Sequence, residues 1–501
     1  MDRTTQNLEA LMAHHKETIG RAASTHGLPL HVLFIEQVAE TANGFLEVAR
    51  RHYPNTLVSF AAKSNPCRGA IRTAHRLGLG LDAASEFEFR AGLEEGIPPR
   101  HITCNGNAKS DTYIAEAIQA DALIAVDNAD ELGRIEALAA EMGSLPTLLI
   151  RFRGMPLAGL TSDDQTTASD WTKFGFHVDE AKAIFERVRS SESVVFGGIS
   201  AHIGTQIADA SGYERLLSYF FDLAQLARSM DLSVRYMDIG GGFPVSFLSE
   251  EQWGSFTGRL LARLRGEPDM SEAMTWNDEP MGFARAKGQP AAQEPWVGKA
   301  FWTPHPTYDM LEQLLTFRFE DGRSTVERLQ ETGSPMLVAE PGRSLMAGAG
   351  VTLTQVMGVK NVLGHHVVAL DMGISNHGTN LISLDLFPAA VLPLQDDDEA
   401  VDAFLAGRLC FSGDMISKAK VHLNRLPKRG DAFVIYHTGA YGADHFASNS
   451  CGFPRPGKVA IREDGTVEVW RRPQSFEDVF GSSGDSLLET WPPGLAGGSR
   501  P

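Results

Sequence analysis

The sequence predicts a (β/α)8 TIM-type barrel followed by an all-β domain, and three observations predict it. Eight short apolar runs alternate with helical patterns between residues 57 and 340, period-two runs take over after Arg343, and 501 residues exceed what one ordinary core supports. The strand candidates are 57–62, 79–84, 101–105, 122–127, 147–153, 197–203, 235–240 and 336–340. Between them, stretches such as DELGRIEALAAEM and YERLLSYFFDLAQLARSM are apolar at helical spacing. Strand–helix alternation builds a parallel sheet, and eight repeats favour a closed barrel over a doubly wound open sheet.

The spacing breaks once. Residues 251–330 are polar, rich in Pro and Gly and without a sustained period, which predicts an insertion or lid in a barrel spanning 31–345. Beyond it, VTLTQVMGV, HHVVALDMG, DAFVIY and GKVAIREDGTVEVW alternate at period two, and Asp464-Gly465 is a hairpin turn, which predicts a β domain over 346–472. The tail, 473–501, ends PPGLAGGSRP and reads as partly disordered.

Composition narrows the class. The formal charge of −18 argues against nucleic acid or an anionic membrane as the partner, though not against a small anion in a local site. Four cysteines without CxxC spacing, no signal-like start and no apolar run near the roughly 18 residues of a membrane span predict a soluble cytoplasmic protein. The histidine pairs at 14–15 and 365–366 invite a metal reading, but the second sits on a predicted strand, where neighbours face opposite sides, and no metal is assigned.

In such a barrel the chemistry gathers at the carboxyl ends of the strands. Lys63 lies just past the first, His202 ends the sixth (AHIGTQ), Gly240-Gly241-Gly242 follows the seventh (DIGGGFP) and Glu340 ends the eighth (AEPGR). A covered lysine loses solvation, its pKa falls, and its amine can form a Schiff base with an aldehyde. Glycines after a strand let backbone N–H groups approach a phosphate. A carboxylate can keep a pyridine nitrogen protonated and complete an electron sink. Lysine, phosphate cradle and pyridinium partner together point to pyridoxal 5'-phosphate.

The motifs FAAKSNP, GLDAAS, CNGNAKSD, KFGF, HIGTQI, MDIGGGFP, AEPGR, CFSGD and GAYG resemble, in order, those of the fold-type III pyridoxal-phosphate decarboxylases: the diaminopimelate, ornithine and arginine decarboxylase group, with the diaminopimelate type nearest. The resemblance covers about 30–460 outside the insertion. It implies an alanine racemase-like barrel, residues 1–30 packed on the β domain, and a homodimer with shared active sites. It further implies that Lys63 is the Schiff-base lysine, Glu340 the pyridine partner and His202 the imidazole stacked on the ring. Thr205, Gly240, Gly241, Gly242, Gly342, Arg343 and Tyr441 match phosphate contacts, with Arg343 also reaching toward substrate, and Asp82 lies near the cofactor. Cys410 matches the cysteine that one subunit inserts into the other's site, where a thiol can reprotonate Cα.

The substrate contacts depart from the pattern. Phe411 stands where an acidic residue usually meets a distal ammonium, and Asp414 is the acid that remains nearby. The stretch ISNHGTNLIS places Thr379 and Ser383 where an Arg-Pro and a tyrosine are usual, and Ser450-Cys451 replaces a late Tyr-Asn. The expectation is an α-decarboxylase of an amino acid or amino-acid conjugate. A racemase or epimerase on the same architecture, or a non-catalytic regulatory relative, are the alternatives.

Overall fold

The computed structural model describes residues 3–155, 167–168, 170–264, 266–267, 272–278, 300–377, 386–394, 399–445 and 447–481. The first strand, β1 (Leu30–Phe34), belongs to a second sheet taken up below. The barrel follows: β2 (Thr56–Ala61), β3 (Gly80–Ala83), β4 (Ile102–Cys104), β5 (Leu123–Val126), β6 (Thr147–Arg153), the two-residue β7 (Phe176–His177) beside β6, β8 (Val195–Ser200), β9 (Tyr236–Asp238) and β10 (Met336–Ala339). Pairing runs β5-β4-β3-β2-β10-β9-β8-β6, all parallel, and β5 pairs with β6 to close the ring. All eight predicted strands are present.

Their near-continuous burial is what a parallel sheet covered by helices requires. Where two strands approach most closely the sequence supplies glycine: a Cβ on Gly198 would lie 2.0 Å from the Tyr236 carbonyl oxygen. Several barrel helices start on a side-chain cap directly after the preceding loop. Ser85, Ser110 and Asn128 each accept a backbone N–H of the first turn.

The region 251–330 is only partly an insertion. Helix Tyr308–Thr316 buries Met310, Leu311, Leu314 and Leu315, and Tyr308 sits so tightly on the helix Ile35–His52 that a Cβ on Gly44 would clash with its ring. Helix Thr325–Glu331 follows, opened by a Ser324–Glu327 capping box. These are barrel helices; four apolar residues in nine were outvoted by the Pro- and Gly-rich neighbourhood. The described piece 272–278 lies on the second sheet: Thr275 bridges Ala419, and Trp276 meets Phe404 edge-on at 5.2 Å.

The second sheet comprises β1 with β11 (Gly350–Val362), β12 (His365–Leu370), β13 (Ala389–Leu392), β14 (Val401–Ala406), β15 (Met415–Leu423), β16 (Ala432–Tyr436), β17 (Gly457–Ile461) and β18 (Val467–Arg471). It is mostly antiparallel, and β17–β18 is the hairpin expected at Asp464-Gly465, with Gly465 at φ +79°. β1 sits centrally, antiparallel to β11 and parallel to β17. Residues 30–34 therefore belong to this sheet rather than to the barrel segment that begins at 31. Leu8, Ile19 and Ala22 of the two N-terminal helices cover it. Among the described residues no helix is long and apolar enough to cross a membrane.

Between barrel and sheet lies a buried ionic knot. Asp444 pairs with Lys458 and Arg471, and the Lys458 Nζ also donates to Asn65 Oδ1 at 2.9 Å. Burial works against the Asp444 carboxylate, but the two cations outweigh it and hold its pKa well below the usual range. A depressed carboxylate pKa gives stability that is fully present above the unfolded value near ~4 and is lost as pH falls toward the folded one. Asp444→Asn is expected to cost roughly 3–5 kcal/mol at pH 7, because two cations lose their partner, and the deficit should shrink below pH 4. Urea denaturation at both pH values checks this; a difference below about 1 kcal/mol at pH 7 would mean that the cations find other partners.

Candidate active site

Strand β2 ends at Ala61 and the chain turns through a single 3-10 turn, Ala62–Ser64, that projects Lys63 into the barrel mouth. The turn is fixed from several sides. Ser64 Oγ donates to the Ala61 carbonyl at 2.8 Å, the Ala61 N–H donates to Pro341 O at 3.2 Å, and Asn65 Nδ2 donates to Gly439 O at 2.9 Å. Lys63 Nζ donates to Asp82 Oδ2 at 2.6 Å, at the end of β3. Burial disfavours the ammonium, but Asp82, with Tyr441 and Glu340 behind it, more than offsets this and raises the pKa. That reverses the fall expected from a covered lysine: the sequence signals burial but not the carboxylate that meets the amine.

Three carboxyls crowd the same rim. Asp82 is fully buried, and Asn105 Nδ2 bridges it to Glu340, donating to Asp82 Oδ1 at 2.7 Å and to Glu340 Oε1 at 3.0 Å. Asp238 ends β9 and accepts from Ser200 Oγ at 3.1 Å and from the Gly240 N–H at 2.9 Å. Burial pushes Asp238 up to about 6. It raises Glu340 well above the carboxylate range, with Asp238 and Asp82 adding repulsion. Glu340 is therefore a proton-bearing group, at the end of β10.

The glycine turn after β9 is cramped by design of its neighbours. Gly240 and Gly242 have φ +68° and +92°; a Cβ on Gly241 would lie 2.6 Å from Glu340 O, and one on Gly242 2.7 Å from Gly204 O. Tyr213 Oη donates to Gly241 O at 2.9 Å and sets the turn. His202 stands beside it, its Nδ1 within 3.1 Å of both the Gly204 N–H and Thr167 Oγ1; burial, with the Lys63 and Arg151 charges, pulls it down to about 3, so the ring is neutral. Thr205 lies in the same loop. Gly342 precedes the short helix Arg343–Met346, and the Arg343 guanidinium lies 4.8 Å over the Tyr441 ring. Tyr441 holds φ +60°, and its N–H donates to Ser64 O at 2.7 Å. A backbone turn that excludes side chains, an arginine, a tyrosine hydroxyl and a buried carboxyl with a raised pKa opposite an amine fit pyridoxal phosphate in donor chemistry.

Cys410, Phe411 and Asp414 form a separate turn between β14 and β15. Cys410 is exposed and Phe411 is 52% exposed. Asp414 is not available to a substrate: it is buried and accepts from the Ile374 N–H at 2.7 Å and the Leu409 N–H at 2.6 Å, fastening the turn to residues 371–376. Arg408 adds to this, pairing with Asp371 and lying 3.9 Å over Phe453. Thr379 and Ser383 lie outside the described residues. Ser450-Cys451 forms an exposed turn beside Phe453.

Sequence reasoning missed Asn105, Asp238 and Arg151. Asn105 and Asp238 lie inside matched motifs, and their position at strand ends was the available signal. Arg151 emerges only in space, 4.2 Å from the Phe174 ring and near buried Asp127.

Residues 42–264 match the model of the pyridoxal-dependent decarboxylase, pyridoxal binding domain. The chain is 24% identical to a diaminopimelate decarboxylase of Aquifex aeolicus, over 92% of this chain and 93% of that one. It is 27% identical to an uncharacterized protein of Sinorhizobium fredii, over 92% of each. Diaminopimelate decarboxylase from M. jannaschii, solved with L-lysine, superposes with a TM-score of 0.73 at 22% identity, covering 92% and 93%. The fold and its rim thus define a pyridoxal-phosphate enzyme. Residues 42–264 thus match the pyridoxal-binding domain of the pyridoxal-dependent decarboxylases, and the chain as a whole is similar to diaminopimelate decarboxylases.

The Lys63–Asp82 contact sets an expectation. Asp82→Asn removes the charge that raises the lysine pKa, so the neutral amine fraction at pH 8 should rise about tenfold for each unit recovered. Capture of pyridoxal phosphate, trapped by borohydride and counted by mass spectrometry, should be correspondingly faster; an unchanged rate would mean that Asp82 does not control the amine.

Proposed function

We propose that the chain is an α-decarboxylase of an amino acid or amino-acid conjugate, working as a homodimer. The observation that carries this is the meeting of Lys63, Asp82, Asn105 and Glu340 on one rim beside the Gly240–Gly242 turn. When bound, pyridoxal phosphate supplies an aldehyde carbon for an amine and a ring that accepts the electron pair released as a carboxylate leaves. Lys63 provides the amine that holds the cofactor covalently. Glu340 keeps a proton at the pyridine nitrogen, and the Asp238 and Asp82 charges set how firmly it does so. His202 offers a neutral ring face that adds no competing charge. Gly240–Gly242, Thr205, Gly342, Arg343 and Tyr441 hold the phosphate. Cys410 returns a proton to Cα from the partner subunit, which is consistent with its exposure in the single chain.

Two experiments test this. Lys63→Ala and Cys410→Ala should each be inactive, and mixing them should restore roughly a quarter of the wild-type rate of CO2 release, since half the dimers are hybrids with one intact site each. Absence of recovery between subunits shown to exchange would place Cys410 in its own chain's site or outside catalysis.

The substrate differs from diaminopimelate. Phe411 gives a distal ammonium no carboxylate, and an uncompensated buried charge is costly. Turnover of meso-diaminopimelate, ornithine and lysine should fall far below that of substrates with an uncharged side-chain end. A kcat/KM above ~10^4 M⁻¹s⁻¹ for diaminopimelate would overturn this.

A further inference from the structure

Resting on the reading above, and narrowing its substrate, we propose that Ser375, Asn376 and His377 form a polar subsite for a neutral hydrogen-bonding group, amide-like in chemistry, at the far end of the substrate side chain. The three residues are consecutive and buried, at 2%, 2% and 0% exposure. Ser375 Oγ, Asn376 Nδ2 and both ring nitrogens of His377 lack a hydrogen-bond partner among the described residues. One such atom is unremarkable, but four in one turn call for an occupant, because each unpaired buried polar group costs about 1–3 kcal/mol.

Their place in the fold points to that occupant. A Cβ on Gly442 would lie 2.9 Å from His377 Nδ1, so the ring lies against the GAYG turn that carries Tyr441. Tyr441 is in turn bonded to Ser64, next to Lys63, and faces Arg343. The Ser375 carbonyl accepts from the Ser448 N–H, further along the same loop. On the other side, the Asp414 carboxylate ties Ile374 to the turn of Cys410 and Phe411. The cluster therefore stands between the lysine-bearing rim and the cysteine turn.

The chemistry of the cluster selects the class. A carboxamide nitrogen, a hydroxyl and an imidazole offer more donors than acceptors, which suits a carbonyl oxygen with an N–H beside it. Among the described residues around the cluster, no full charge is free to receive an ion. Asp371 is paired with Arg408, Asp414 is spent on two backbone N–H groups, and Arg343 lies over Tyr441. Burial holds the His377 ring neutral, pulled down to about 4, where it packs edge-on to Phe387 at 4.6 Å. An ammonium or carboxylate would sit there uncompensated, and a methyl end would leave four polar atoms unpaired.

The test uses the holoenzyme and three amino acids sharing one backbone: Nε-acetyl-L-lysine, L-lysine and L-norleucine. Isothermal titration calorimetry and CO2 release are measured for each. The amide should bind at least about tenfold more tightly than the other two. His377→Phe, which keeps the volume, and Ser375→Ala, the milder change should the first fail to fold, should each lower that preference about fivefold or more. Tighter amide binding without CO2 release would uphold the subsite and remove the decarboxylase reading. Release of CO2 with equal or weaker use of the amide would uphold the decarboxylase and overturn the subsite. Binding of none of the three, or an amide preference that survives both substitutions, would also overturn it.

Discussion

The turn that carries Lys63 is held by a side chain from outside the barrel. Asn65, two residues on and fully buried, donates to the Gly439 carbonyl in the turn after β16 and accepts from Lys458 in β17. The Ser64 carbonyl accepts from Tyr441. A strand end alone would leave a lysine free to sample rotamers at a cost of up to ~2 kcal/mol in entropy when ordered. Here the backbone beneath it is bonded to two different elements, so amine position and β-domain position are one constraint. Lys458, which donates to Asn65, is also paired with Asp444, and Asp444 pairs in turn with Arg471. The ionic knot at the junction thus bears on the geometry of the barrel mouth some residues away.

The same rim solves an electrostatic problem. Three buried carboxyls cannot all be ionised beside one ammonium. Asp82 keeps its charge because Lys63 and Asn105 meet it, whereas Asp238 and Glu340 are pushed toward the protonated form. One ionised carboxylate paired with one ammonium, beside two carboxyls whose ionisation burial opposes, lowers the net negative charge of the cluster. Asn105 matters here as a neutral bridge: its amide donates to an anion and to a protonated acid alike, so it tolerates a proton moving at Glu340.

Much of this was legible in the sequence, for identifiable reasons. The barrel strands were readable because parallel strands buried on both faces are apolar throughout, and the loaded positions fell at their carboxyl ends. Lys63, His202, the glycine triplet and Glu340 could be placed on one rim from spacing alone. What could not be read depends on partners distant in sequence. β1 is only five residues long and is recognisable as a strand only when β11 and β17 flank it. The pKa of Lys63 was misjudged because Asp82 is a motif residue whose direction no periodicity reveals. Asp414, expected near substrate, is instead consumed by two backbone N–H groups, an outcome set by a turn forty residues upstream.

The division between the two sheets also separates positions packed too closely for a side chain from positions on loops. Every group that would touch the cofactor except Tyr441 comes from the barrel or its edge, where close backbone approaches leave no room for change: Cβ atoms at Gly241 and Gly242 would fall within 2.7 Å of carbonyl oxygens. Residues 374–377 and 408–414 belong to loops of the β domain, tied to each other by Asp414 and Arg408 rather than to the barrel strands. On the substrate reading proposed above, substitutions there would alter what meets the far end of a substrate, whereas Lys63, Asp82 and Glu340 stand on the barrel's strand ends. On that same reading, the exposed Phe411 and the buried polar run at 375–377 would be two parts of one neutral recognition surface, both carried by the β domain.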